Sequence, residues 1–374
     1  MIDFPMPFSA YLEHALYGDD GYYMADRNRF GRSGDFYTSA QVSPLYGALW
    51  ARFIVDRSCA TALSVIELGC GDGDFAVSMI SEWLRIRADE MCPIVYSAID
   101  LSEVARERTK ERLERLLQEV KRSHAITVHV VASVEQLELT RDSSMQTGWI
   151  IGNEVLDAIP CEVVRVNRES EVWRLMVTKH GMLQDGVLRG PFQGKYYETY
   201  FESVTSGALR EYALRYFSPI LKEQESEVII AEAHVGLTHF FRDLMTHIQP
   251  TYFAFIDYGG LTRDVVGEDR PNGSLRAYHA HQVLDTWLDR AGEVDITYDV
   301  DFSVVENVLS DVGYEMEFIE RQGAFLMSVE ALEDVYKTMQ QTDLNLSQKL
   351  KQLVMPGALG DRFFVLLARR RPNL

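Results

Sequence analysis

The stretch Ser64–Ile80, SVIELGCGDGDFAVSMI, decides the fold. Its short apolar run ends at Leu68 and drops into a turn carrying Gly69, Gly71 and Gly73, after which apolar residues recur at helical spacing. A buried strand that leaves its sheet through a glycine turn and opens a helix has this form. Glycine has no Cβ, so a ligand can come close to the backbone of such a turn. Three carboxylates, Glu67, Asp72 and Asp74, flank it, with no Lys or Arg among them.

Working outward, IVYSAID (from Ile94), AITVHVVA (from Ala125), WIIGNE (from Trp149) and YFAFIDYGG (from Tyr252) are further β-rich runs. Helix-length stretches separate the first four strands, which predicts a parallel sheet of βαβ units. In the helix starting at Leu101, Val104, Leu113, Leu116, Leu117 and Val120 form the apolar stripe, and its Glu and Arg residues read as a solvated face. About 90 residues between Pro160 and Tyr252 exceed what one crossover needs. Within them EVVRVNRESEVWRLMVT alternates like a hairpin, and two helical patterns follow. An inserted α+β subdomain is expected there. In the tail, DVDFSVV, YEMEFIERQGAFLMS and RFFVLLARRR read as strands and ALEDVYKTMQQ as a helix. The expected division is an N-terminal cap over 1–60, the first part of an α/β domain over 61–162, the insertion over 163–248 and the rest of the sheet over 249–374.

The chain of 374 residues carries 56 Asp plus Glu against 37 Lys plus Arg, a formal charge of −19. Such a field disfavours nucleic acid and anionic membrane surfaces and suits a basic partner. Cys59, Cys70, Cys92 and Cys161 have no paired spacing, so a reducing compartment is inferred. With no signal-like start and no apolar run of ~18 residues, a cytoplasmic protein without a membrane span is expected. A homodimer is compatible with this reading.

Two cofactors compete for the glycine turn. Gly71, Gly73 and Ala76 satisfy a loose dinucleotide pattern. Asp72 and Asp74 would meet the pyrophosphate at a cost on the order of a few kcal/mol. S-adenosylmethionine has no phosphate and is cationic at its reactive centre, so the acidic turn favours it. Asp100, closing the second strand, can accept hydrogen bonds from ribose hydroxyls in either case, or cap the helix at Leu101. A second constellation lies in WIIGNEVLDAIP, where Asn153 and Glu154 follow an apolar strand and Asp157 comes three residues later. If the chain turns helical there, Glu154 and Asp157 share a face. Those groups could localise the charge of a guanidinium nucleophile and accept its proton. His279 and His281 lack a third ligand at metal-binding spacing, and no metal is expected.

FGRSGDFYTSAQVSPLYG, VIELGCGDGDF, GNEVLDAIP, FIDYGG, GSLRAYHAHQV, GEVDITYDVDF, RQGAFL and LGDRFF occur in that order across nearly the whole chain. In this the sequence resembles the MidA-like S-adenosylmethionine-dependent methyltransferases, relatives of a mitochondrial arginine methyltransferase that assists complex I assembly. The resemblance implies a Rossmann-like seven-stranded class I methyltransferase sheet with an inserted subdomain and an N-terminal cap. It also implies transfer of a methyl group to a protein nitrogen, arginine above all, in a partner presenting a basic side chain. Carried over by motif, Glu67, Gly69, Gly71, Gly73, Asp100 and Leu101 would bind the cofactor, with Gly34, Asp35, Phe36, Thr38 and Ser39 in the cap. Asn153, Glu154 and Asp157 would be catalytic. Ala40 and Gln41 stand where the family usually has Pro-Glu, and Glu162 replaces a commonly non-acidic position. An NAD-type oxidoreductase and a non-catalytic assembly factor are the alternatives.

Overall fold

The computed structural model describes residues 4–25, 38–58, 62–86, 93–119, 126–138 and 148–372. They divide into two compact units. One is built from Asn28–Val155, Asp243–Asp257 and Leu309–Leu374, the other from Met1–Arg27, Leu156–Arg242 and Tyr258–Val308.

The first unit carries strands β1 (Leu63–Leu68), β2 (Ile94–Ile99), β3 (Ile126–Val131), β4 (Trp149–Asn153), β5 (Tyr252–Gly260, of which Tyr252–Asp257 lies here), β6 (Tyr314–Arg321) and β7 (Phe363–Arg370). Their spatial order is β6-β7-β5-β4-β1-β2-β3. Neighbours from β5 to β3 run parallel, while β6 and β7 are antiparallel. Every residue of β1 is buried, as a central parallel strand covered on both faces requires. The order of connection reverses between β1 and β4, and their carboxyl ends flank the crevice where open α/β sheets hold ligands. Six helices matter for the site: α1 (Pro44–Arg57), α2 (Asp74–Ile86), α3 (Glu103–Glu119), α4 (Gln322–Ser328), α5 (Leu332–Gln340) and α6 (Leu346–Val354). On α3 the buried residues are Ala105, Thr109 and Leu113; of the expected stripe only Leu113 is among them, Val104, Leu116 and Leu117 are half-buried, and Val120 lies outside the described residues.

The second unit contains the expected hairpin, Glu162–Asn167 against Val172–Lys179, in an antiparallel sheet with Val228–Ala233, Tyr197–Ser203 and Arg189–Gln193. The helix Ala208–Glu223 lays Leu209, Ala213, Phe217 and Leu221 on Val164, Val166 and Ile229.

Two tail segments differ from expectation. In DVDFSVV only Val300–Asp301 is strand, and Phe302–Asp311 is helix because Phe302, Val305, Val308 and Leu309 bury at a 3.6-residue period. Likewise β6 stops at Arg321, and QGAFLMS coils into α4 with Gln322, Gly323, Phe325 and Leu326 buried.

Phe217→Ala should lower the stability of the second unit by about 3–5 kcal/mol, since the ring is wholly buried. Urea unfolding checks this, and a loss under about 1 kcal/mol would mean that the helix does not pack as described.

Candidate active site

The turn after β1 depends on its glycines. Gly69, Gly71 and Gly73 have φ values of 66°, 52° and 79°, a region that side chains with a Cβ rarely occupy. A Cβ on Gly69 would lie 2.7 Å from Val155 Cγ2, and one on Gly73 2.8 Å from Thr109 Oγ1. Asp100 locks the turn from the neighbouring strand. Its Oδ2 accepts the Gly71 N–H at 2.9 Å and its Oδ1 accepts the Ser102 N–H at 2.8 Å, so the ligand and capping readings share one carboxylate. Thr109 Oγ1 donates to Gly71 O at 2.8 Å.

The charge around this turn corrects one expectation. Arg108 Nη1 lies 3.3 Å from Asp72 Oδ1, and Arg112 Nη2 lies 2.6 Å from Asp74 Oδ1. Arg112 also donates to Asp72 O at 2.5 Å. Both aspartates are therefore paired, by arginines one helical turn apart on α3 that the sequence had suggested were merely solvated. An unopposed negative turn, the premise for rejecting a diphosphate, does not exist. Leu101, from the same expected set, is exposed beside Asp100.

Glu67 is 2% exposed and points along the sheet, where Tyr96 OH donates to its Oε2 at 2.7 Å. Burial pushes its carboxyl up to about 8, with Asp100 and Asp74 adding to the rise and the Tyr96 bond opposing it.

At the end of β4 a second turn is held. Glu154 has φ 58°, a left-handed conformation that costs a non-glycine residue on the order of 1 kcal/mol or more. Backbone bonds on either side keep it there. The Glu154 N–H donates to Ile256 O at 2.8 Å, and the Val155 N–H donates to Asp257 Oδ2 at 3.1 Å. Glu154 Oε1 accepts from Asn153 Nδ2 at 3.2 Å and from the Ser39 N–H at 3.3 Å. Asn153 Oδ1 accepts from Tyr46 OH at 2.8 Å, and Ser39 Oγ donates to Gln322 Oε1 at 2.9 Å. Burial chiefly, with the charges of Glu154 and Asp257, holds the Tyr46 phenol well above its ordinary value.

Of the expected catalytic set, the structure thus brings Asn153 and Glu154 together. Asp157 does not share a helical face with Glu154. The left-handed residue breaks the turn, and only Leu156–Ala158 forms one 3₁₀ turn. Asp157 belongs to the second unit, where its Oδ2 accepts from Thr297 Oγ1 at 2.6 Å. Thr38 caps the short helix Ser39–Val42, with Gln41 closing the box, whereas Gly34, Asp35 and Phe36 lie outside the described residues. Tyr46, Asp257 and Gln322 were not singled out from the sequence. Asp257 carried a signal, an acid at the carboxyl end of the apolar strand FIDYGG. His279 ends a strand of the second unit, and the chain reverses at Ala280 and His281, so the two histidines do not line one strand face.

A sheet of this order, with a left-handed glycine turn after its first strand and an acid closing the second, has the class I S-adenosylmethionine-dependent methyltransferase fold. Residues 48–318 match the family described as "Putative S-adenosyl-L-methionine-dependent methyltransferase", and the chain belongs to it. Among curated proteins the chain is similar to "Protein arginine methyltransferase NDUFAF7 homolog, mitochondrial" of Drosophila melanogaster, 21% identical over 83% of this chain and 68% of that protein. It is also similar to "Protein arginine methyltransferase NDUFAF7, mitochondrial" of Rattus norvegicus, 23% identical over 98% and 82% of the two chains. A crystal structure from Burkholderia thailandensis bound to S-adenosyl-homocysteine matches with a TM-score of 0.75 at 23% identity, covering 98% of this chain and 88% of that one. That likeness establishes the fold.

The MidA-like resemblance and the cofactor stand, and the dinucleotide alternative falls. The relatives' naming as mitochondrial proteins overturns the cytoplasmic location expected from composition. The turn fits S-adenosylmethionine through the Asp100 carboxylate at the end of β2, where ribose hydroxyls can be accepted, while Val155 and Thr109 pack against Gly69 and Gly73 and set the shape of the turn.

Glu67 makes stability depend on pH. A carboxyl raised from 4.5 to about 8 on folding contributes stability below 4.5 that is lost as pH rises through about 8. Glu67→Gln stays neutral and can still accept from Tyr96, so between about pH 5 and 9 its unfolding free energy should fall less than the wild type's, by on the order of a few kcal/mol. Urea titrations across that range check this, and parallel pH dependences would refute the burial of an ionisable Glu67.

Proposed function

We propose that the protein transfers a methyl group to a nitrogen of an arginine side chain in a polypeptide substrate, with Glu154 as the residue that receives the guanidinium. The observation that carries this reading is Glu154 itself. A strained residue persists where its surroundings over-determine it, and here Ile256, Asp257, Asn153 and Ser39 all do so. The names of the curated relatives support the same acceptor.

Gly69, Gly71, Gly73 and Asp100 would hold S-adenosylmethionine, which would supply an electrophilic methyl group when bound. Glu154 draws the guanidinium charge toward the nitrogens facing it, which leaves electron density on the nitrogen to be methylated. The Glu154 carboxylate would take the proton that this nitrogen loses when it gains the methyl group and S-adenosyl-homocysteine leaves. Asn153, fixed by Tyr46, orients the carboxylate through its amide. The Glu154 and Asp257 charges around Tyr46 give a cationic side chain a favourable place to neutralise. Asp157, engaged with Thr297, serves as a structural acceptor in this scheme.

Glu154→Gln should lose about 10²-fold or more of methyl transfer to arginine peptides while S-adenosyl-homocysteine affinity stays within about threefold. Turnover by radiolabelled methyl incorporation and binding by calorimetry test it. Unchanged turnover would remove Glu154 from the chemistry. Gly71→Val, which places a branched side chain at φ 52°, should abolish cofactor binding, and calorimetry showing wild-type affinity would undo the assignment of the turn.

A further inference from the structure

Gln322, the first residue of α4, is wholly buried and joins two distant segments of the first unit. Its Oε1 accepts from Ser39 Oγ at 2.9 Å, and its Nε2 donates to Leu353 O at 3.1 Å. These partners fix the orientation of the side-chain amide, since only its NH₂ end can donate to a carbonyl. Leu353 lies in the last turn of α6, where helix carbonyls have no intrahelical donor.

The backbone that carries Gln322 is held tightly. A Cβ on Gly323 would stand 2.3 Å from Val354 O, and one on Gly360 would stand 2.3 Å from Val354 C. Backbone meets backbone on both sides of the end of α6, so the start of α4 cannot slide without a collision.

Ser39 is wholly buried as well. It opens the helix Ser39–Val42, and the first N–H groups of a helix have no intrahelical acceptor. The Ser39 N–H goes instead to Glu154 Oε1, 115 positions away in sequence. Asn153 Nδ2 donates to the same oxygen. Two donors on one oxygen set the plane of the carboxylate, and one of them is only as well placed as Ser39.

Packing alone does not call for a polar pair here. An apolar pair of the same shape would fill the space at little net cost in stability, because removing both partners leaves neither unsatisfied. What the Ser39 hydroxyl and the Gln322 amide add is direction.

We propose that Gln322 is a positioning residue that, through Ser39, sets the aim of the Glu154 carboxylate at the reacting nitrogen. Its effect on turnover rests on the arginine reading above, whereas its hold on Glu154 does not.

In amide-resolved NMR of the isotope-labelled full chain, the backbone N–H at position 39 reports its bond to Glu154. Introducing Glu154→Gln should shift that resonance in the wild-type background and leave it in place in Gln322→Leu. In Ser39→Ala, which keeps the N–H and loses the hydroxyl, the response should be lost in the same way. In turnover of a glycine–arginine peptide, Ser39→Ala and Gln322→Leu should each lower kcat at least about tenfold, with peptide KM and S-adenosyl-homocysteine affinity within about threefold of wild type. The double variant should fall no more than about twofold below the slower single one, since both changes cut one chain of contacts. A purely structural pair would lower the melting temperature and leave kcat alone. Ser39→Ala decides the matter if Gln322→Leu does not fold. An undiminished amide response in either folded variant, kcat within about twofold of wild type while Glu154→Gln is inactive, or losses that multiply in the double variant would each overturn the proposal. Full turnover by Glu154→Gln, with an amide response that still depends on Gln322, would instead overturn the arginine reading and leave the positioning in place.

Discussion

The structure depends on a carboxylate from one strand holding the backbone turn that follows its neighbour. Asp100, closing β2, accepts the Gly71 N–H of the turn after β1, and Asp257, near the end of β5, accepts the Val155 N–H of the turn after β4. Both turns contain left-handed residues, which a free chain would abandon. Asp257 is wholly buried, and a buried carboxylate without donors is costly enough that its bond to the turn serves both partners. Each strand end thus immobilises the next. The crevice at the topological switch point arrives preorganised, the condition under which positioning lowers a reaction barrier.

Legibility from the sequence followed the range of the interaction. Strands β1 to β5 were plain because a parallel sheet buried on both faces needs continuous apolar runs, and the glycine turn because φ above zero demands glycine. Residues 299–328 misled because β-branched and aromatic runs such as DFSVV are ambiguous over so short a window, and burial decided for helix at Phe302. The long-range partners of the turn at Glu154 were out of reach. Val155 and Asp257 are 102 positions apart, and Ser39 and Gln322 are 283 apart. No local period encodes such a pair. Asn153 and Glu154 were nevertheless identified together, because adjacency at a strand's carboxyl end is itself a local signal.

Glu154 at φ 58° also explains why it and Asp157 part company. Three-residue spacing places side chains together only on a continuing helix, and one left-handed residue redirects the chain. The same bend carries Val155 toward the glycine turn, where its Cγ2 fills the space that a Cβ on Gly69 would take. The turns after β1 and β4 are therefore matched in shape as well as fastened by analogous carboxylates.

Cofactor selection then has a different physical basis from the one the acidic turn suggested. With Asp72 and Asp74 neutralised by Arg108 and Arg112, charge repulsion is no longer available to exclude a diphosphate. Hydrogen-bond supply within the turn itself is limited. Phosphate binding at the start of a helix needs open backbone N–H groups. Here the Cys70 N–H donates to Ile99 O, the Gly71 N–H to Asp100 and the Gly73 N–H to Cys70 O. The turn spends these three donors on its own closure, so none of them is open to a phosphate. A nucleoside joined to a sulfonium carries no phosphate and requires none of those donors. The arginines on α3 accordingly stiffen the turn without converting it into an anion site, because their charge is already consumed by the aspartates.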